Sequence, residues 1–259
     1  MTYEFIQTGV DNGVLTIALN RPDRLNALIP QMMDEIVAAL YAAPQQGARA
    51  AILTGSGKGF CSGTDLQMEG GLPDDISELL EHHYNPAMEK IMALPLPMVA
   101  AVHGPCAGIG TSLALACDFV VAARSSYFLH AFVNIGLVPD GGVTWMLPRL
   151  IGRARATQMM MLGERIPAER AENWGLIYKV VDDDVLRSEA QTLATRLANS
   201  ATGALGMIRK GLTEAMESTF SQALDMECRH QRDAGRSADF AEGVQAFLAK
   251  RPAKFEGRR

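Results

Sequence analysis

Apolar residues change their spacing several times along the chain, and each change marks a new element. GVLTIALN (13–20) is apolar, partly β-branched and followed by the polar RPDRLN, which predicts a strand entering a turn. From Asn26 the pattern shifts. Leu28, Ile29, Met32, Met33, Ile36, Val37 and Leu40 recur at three- and four-residue intervals, which marks one face of a helix. RAAILTGSG (49–57), PMVAAVHG (97–104) and CDFVVAAR (117–124) read as further strands, with helical stretches near 75–93 and 109–117 between them. Strand–helix alternation of this kind predicts an α/β core. Past residue 150 the strand signals fade. IPAERAENWGLI reads as a helix with Pro167 near its first turn and Gly175 beyond its end. YKVV (178–181) reads as a last short strand, and helices follow near 184–199, 203–217 and 219–235. The final helix has Ser237 as its N-cap and carries Phe240, Val244, Phe247 and Leu248 on one face. The expected organisation is an α/β core over 1–198 and a helical region over 199–259. The apolar stripe of that region packs either on its own core or on a neighbouring copy.

The 259 residues suffice for a substantial buried core. The net charge of -5 argues against a nucleic-acid surface, which needs clustered Lys and Arg. Cys61, Cys106, Cys117 and Cys228 have neither C-x-x-C spacing nor a histidine at a metal-ligand offset, so they read as buried small residues without a metal or disulfide role. MTYEFIQTGV lacks the basic start and apolar core of a signal peptide, and no apolar run reaches membrane-spanning length. The expected location is cytoplasmic, with no membrane partner.

Two segments share one design. GKGFCSGTDL (57–66) and HGPCAGIGTSLALACD (103–118) each follow a strand, bend at glycines and lead toward a helix. Glycine lets backbone approach a ligand closely, and the first turn of a helix leaves N–H groups unpaired. Two such loops, converging, can present two amides to one oxygen, which is what an oxyanion hole requires. Ordinary turn-making explains the glycines equally well. Neither loop matches a nucleotide phosphate-binding pattern.

A third segment, NIGLVPDGG (134–142), puts Asp140 between Pro139 and a glycine pair. An aspartate there can make an Asx-turn or cap the helix that GGVTWML begins. It can also move a proton. Other candidates are weaker. His82 and His83 sit in a charged helix and read as exposed, and His103 ends a strand where it can shape the following loop. Cys61 and Cys106 have no base predicted beside them, as a thiol nucleophile needs. Asp118 reads as structural, and Glu69 with the acids at 74–81 as a variable, mobile segment.

GFCSGTDL, HGPCAGIGTSLALACD and FVNIGLVPDGGVTWMLPRLIGRARA occur in the order and spacing of the crotonase (enoyl-CoA hydratase/isomerase) superfamily, which the chain resembles over nearly its whole length. NAL at 26–28, AENWGLIYKVV at 171–181 and AGRSADFAEGVQAFLAKRPAKF at 234–255 agree with it. The resemblance implies a core of repeated ββα units with a helical trimerisation region. It implies a homo-trimer or dimer of trimers, an acyl-CoA thioester as ligand, and no metal or redox cofactor. It assigns Thr64 and Ile109 as backbone donors to the thioester oxygen, with Gly110 as the alternative second donor. It assigns Arg24, Ala27, Ser62, Gly63, Asp65 and Leu66 to the CoA, and Lys254 and Phe255 to the CoA of a neighbouring subunit.

The chain also departs from the pattern. The two glutamates with which hydratases of this family activate water are replaced by Ser112 and Phe132. Hydration needs a group to activate the water and a group to deliver a proton. What remains is Asp140, the acid/base position of the branch with the GLVPD-GG pattern. In apolar surroundings of Ile135, Leu137, Val138 and Trp145, its pKa is expected to rise. The implied activity is isomerisation through an enolate, either an enoyl double-bond shift or isomerisation of a 1,2-epoxyphenylacetyl thioester. The rivals are a hydratase or hydrolase using Asp140 and a non-catalytic acyl-CoA binder.

Overall fold

The computed structural model describes residues 2–257. A six-stranded sheet runs in the order β1-β2-β3-β4-β6-β9. β1 (Ile6–Asp11) is antiparallel to β2 (Val14–Leu19). β3 (Ala50–Gly55), β4 (Met98–Val102), β6 (Phe119–Ala123) and β9 (Lys179–Val181) continue it in parallel. Parallel strands covered on both faces read as continuous apolar runs, and β4, MVAAV, is buried at every position. Successive side chains alternate between the faces. Leu53, Ala100 and Val102 join the main core, whereas Ile52, Val99 and Ala101 pack under Ala190, Ala194 and Leu197 of a helix at Leu186–Ala198. A small second sheet pairs β5 (Pro105–Ala107), β7 (Tyr127–Leu129) and β8 (Ile166–Pro167). These strands are too short for an alternation signal, and the sequence pattern did not separate them.

The helix expected from Asn26 begins later. α1 spans Pro30–Ala42, with Pro30 in its first turn. Leu25 and Asn26 stand in the left-handed region, at φ 49° and 55°, so the chain turns there before it can coil. The stretch near 75–93 is three pieces: α2 (Ser77–Leu79), a π-helical turn (Leu80–Tyr84) and α3 (Asn85–Ala93). α4 (Ile109–Leu115) and α5 (Val143–Leu162) follow, the latter interrupted at Gly152. In IPAERAENWGLI, Ile166 and Pro167 are β-strand and only Ala168–Asn173 forms a helix, α6. The helix under the sheet is α7, and α8 (Thr202–Ala215), α9 (Phe220–Ala234) and α10 (Ala238–Leu248) complete the order. Ser237 caps α10 as expected, accepting from the Phe240 amide at 3.1 Å.

Arg209 of α8 ties the C-terminal helices to the core. It donates to Asp118 at 2.6 Å and to the carbonyls of Ile91 and Ala116, and Asp118 also accepts the Met98 amide. Asp118 is therefore the structural residue expected of it. No helix among the described residues is long and apolar enough to cross a membrane.

Candidate active site

The two glycine loops converge. The Cys61 amide donates to the Pro105 carbonyl at 3.1 Å, and the Ala107 amide donates back to Cys61 at 2.8 Å. The contact demands glycine: a Cβ on Gly110 would stand 2.6 Å from Cys61 Sγ and 3.1 Å from the Cys61 carbonyl oxygen. Gly63, at φ 101°, sits with its Cβ position 3.3 Å from the Ala107 oxygen. On the other side Leu28 grips the first loop. Its amide donates to Gly63 and its carbonyl accepts from Asp65, one residue either side of Thr64. The amides of Thr64, Ile109 and Gly110 donate to no acceptor among the described residues. Ile109 and Gly110 open α4, whose first-turn amides have no intrahelical partner.

Asp140 neither makes an Asx-turn nor caps a helix. α5 starts at Val143 behind Gly142, without any side-chain cap. The bend is made by Gly141 and Gly142, at φ 61° and 84°. A Cβ on Gly141 would meet Ser112 Oγ at 2.6 Å and Ile109 Cγ1 at 3.0 Å, so this bend lies directly against the first turn of α4. The Asp140 carboxylate is left over. Its Oδ1 is shut off from solvent with no hydrogen-bond partner among the described residues, and burial raises its pKa to about 6. Of the apolar neighbours expected around it, Ile135, Leu137 and Val138 are exposed, Val138 at 80%, while Trp145 is half-buried against the core.

Ser112 and Phe132, which the resemblance sets at hydratase glutamate positions, have other partners. The Ser112 hydroxyl donates to the main-chain carbonyl of Asp140 itself, at 3.3 Å. Phe132 lies in a 3-10 turn (Ala131–Ile135), stacked on His130 at 6.0 Å, with its ring edge 3.6 Å from the Cβ position of Gly108. His130 is fully buried, neither ring nitrogen has a hydrogen-bond partner among the described residues, and burial lowers its pKa to about 4.

Next to the first loop lies an open rim. Arg24 and Leu66 are exposed there, and Arg24 donates to Gln67 at 2.9 Å. Ser62 donates to the Arg24 carbonyl. Ala27 and Asp65, also expected at the CoA, are buried. The Ala27 carbonyl accepts from Arg21 at 2.6 Å, and the Asp65 carboxylate pairs with Arg21 at 2.8 Å. Burial works against the Asp65 charge, but the Arg21 and Gln67 hydrogen bonds and the Arg21 and Arg24 charges outweigh it and hold the carboxyl below its usual range. Lys254 and Phe255 belong to a different corner. The Lys254 amide donates to Glu242, the Phe255 carbonyl accepts from Arg49, and its ring lies against Gly243 of α10.

The weaker candidates divide. His103, expected to shape the second glycine loop, instead contacts the Gly57 carbonyl of the first loop at 3.2 Å. His82 is exposed, but His83 is half-buried. Cys61, Cys106 and Cys117 are buried, whereas Cys228 is exposed, against expectation. Burial pushes the Cys61 thiol up to about 12 despite the Gly63 amide, which makes it a poor nucleophile. Sequence reasoning missed the role of Asn26. Fully buried, it accepts from the Arg21 amide and donates to the Ser56 and Gly59 carbonyls, fastening the turn before α1 to the first loop. An asparagine embedded in an otherwise apolar run was the available signal.

A family model described as enoyl-CoA hydratase/isomerase matches residues 9–258. The chain is 45% identical to a 1,2-epoxyphenylacetyl-CoA isomerase of Escherichia coli, over 98% of this chain and 99% of that protein. It is 43% identical to a probable enoyl-CoA hydratase of Rhodobacter capsulatus, over the full length of both. Among solved structures, an enoyl-CoA hydratase subunit of Geobacillus kaustophilus superposes with a TM-score of 0.92 at 35% identity, over 99% of each chain.

Proposed function

The chain belongs to the enoyl-CoA hydratase/isomerase family, the crotonase fold, and from that premise we propose that it is an acyl-CoA isomerase working through Asp140. A proton beside a thioester carbonyl, or vinylogous to it, is weakly acidic. Asp140 takes it, the electron pair moves onto the thioester oxygen, and the Thr64 and Ile109 amides stabilise the enolate. Losing one such donor costs roughly a hundred- to thousand-fold in rate. The same carboxyl then returns the proton to another carbon. The step is a proton transfer with no net oxidation, so it uses neither water nor a redox cofactor. Arg24, Ser62 and Leu66 line the rim suited to the CoA.

One observation carries this reading: Asp140 offers a buried carboxylate oxygen with no hydrogen-bond partner among the described residues. It is supported by the family resemblance, which puts Ser112 and Phe132 where hydratases carry glutamates. The natural acyl group is read as a 1,2-epoxyphenylacetyl or a linear enoyl chain, the former supported by the E. coli relative. Hydration through Asp140 alone is the second reading, favoured by the name of the R. capsulatus relative. The region from residue 199 onward is read as a contact between copies in a trimer or dimer of trimers, where Lys254 and Phe255 would meet a neighbour's CoA.

The deciding experiment follows exchange of α- or γ-protons of acyl-CoA thioesters in deuterated water, alongside turnover of crotonyl-CoA and a 3-enoyl-CoA. The expected result is exchange and double-bond shift that fall about 100- to 10,000-fold in Asp140→Asn. Rapid hydration of crotonyl-CoA that survives Asp140→Asn overturns the proposal, and tight binding without exchange leaves a non-catalytic binder.

A further inference from the structure

We propose that Tyr84 is a positioning residue for the Thr64 amide: its phenol holds the Leu28 carbonyl that clamps the first glycine loop, and so fixes where that N–H points. The inference rests on the oxyanion-hole reading above and extends it to a residue outside both loops. Tyr84 is 1% exposed, and its hydroxyl donates to the Leu28 carbonyl at 3.1 Å. The same carbonyl accepts the Asp65 amide at 2.9 Å, while the Leu28 amide donates to Gly63 at 2.7 Å. Those two bonds bracket Thr64. In a parallel pairing the bracketed residue turns its own N–H away from the partner strand, here away from Leu28. A small rotation of the Leu28 peptide therefore re-aims Thr64 directly.

A hydroxyl buried at this joint costs free energy unless it is hydrogen-bonded, and a phenylalanine would fill the same volume without that cost. The local structure is also built to deliver it. Pro86 lacks the N–H that would close the preceding turn and crowds the carbonyl four residues earlier. The helix accommodates this with the π turn Leu80–Tyr84. One residue of extra winding rotates the following face by about 100°, which decides whether residue 84 meets Leu28. Burial pushes the phenol up to about 12, opposed by the Thr64 side chain and reinforced by Asp140, Cys61 and Asp65, so it stays a neutral donor.

The test is Tyr84→Phe, with Tyr41→Phe as control, since Tyr41 is an exposed phenol bonded to the Lys90 carbonyl. The readouts are the carbonyl stretch of a bound, 13C-labelled enoyl-CoA thioester, the proton-exchange kcat and KM, and the melting midpoint. Tyr84→Phe is expected to lose part of the protein-induced carbonyl shift and about 10- to 100-fold in kcat, with KM within about twofold. Tyr41→Phe leaves all of these unchanged. A Tyr84→Phe protein with the native carbonyl shift overturns the inference, whether its melting midpoint falls or not. If the unaltered protein itself shows no shift on binding, the oxyanion-hole reading fails and this inference with it.

Discussion

At the scale of single residues, the role proposed for Asp140 sets the expected pH dependence. Burial raises its carboxyl to about 6, and a base acts in its ionised form. The kcat/KM for proton exchange is therefore expected to climb with pH through about 6 and level off above it. The same shift acts on stability. An unfolded aspartate titrates near ~4, so the native state holds the proton more tightly than the unfolded chain. That contribution is complete below the unfolded value and is lost as pH rises through about 6. Asp140→Asn should accordingly melt higher than the native protein at pH 8, and the gap should close at pH 4. Melting midpoints at both pH values check this, and a gap independent of pH contradicts it. The sequence around Asp140 permits a turn, a cap or a base equally. Only the folded chain shows that Gly141 and Gly142 make the bend and that the carboxylate caps nothing.

At the scale of elements, the site is an interlock of three segments that each contribute backbone. Gly110 presses α4 onto Cys61, and Gly141 presses the Asp140 bend onto Ser112. Overpacking such a contact typically costs 1–3 kcal/mol, because backbone must move to make room. Gly110→Ala is expected to lower unfolding free energy by about that much and to depress proton exchange further than the stability loss explains, since it separates the two loops. Denaturant titration beside the exchange assay measures both effects. The glycine loops were legible because glycine punctuates a strand-to-helix turn visibly. The short strands β5, β7 and β8 were not, since three residues or fewer carry no period. The start of α1 was misread for a related reason: apolar spacing continues through Leu28 and Ile29, but the left-handed pair Leu25–Asn26 holds the chain out of helix until Pro30.

At the scale of the whole molecule, the C-terminal helices leave apolar surface uncovered. Phe240, Val244, Phe247 and Leu248 of α10, and Ile208 and Leu212 of α8, are exposed, Phe247 at 81%. A cleft of about 790 Å3 between α8, α9 and α10 holds none of the residues of the two glycine loops. Large exposed apolar patches often mark association sites. The native protein is expected to sediment as a multimer, and Phe247→Asp to shift it toward monomer. A native monomer at micromolar concentration would refute the expectation. By itself, the sequence determined the α/β core, the helical tail and the two glycine loops, because each is written in local spacing or residue identity. The tertiary structure alone decided that the two glycine loops and the Asp140 bend pack against one another, that Arg21 claims Asp65, and that Asp140 Oδ1 is buried with no hydrogen-bond partner among the described residues. Those facts depend on which distant segments exclude water from one another, and no local pattern encodes that.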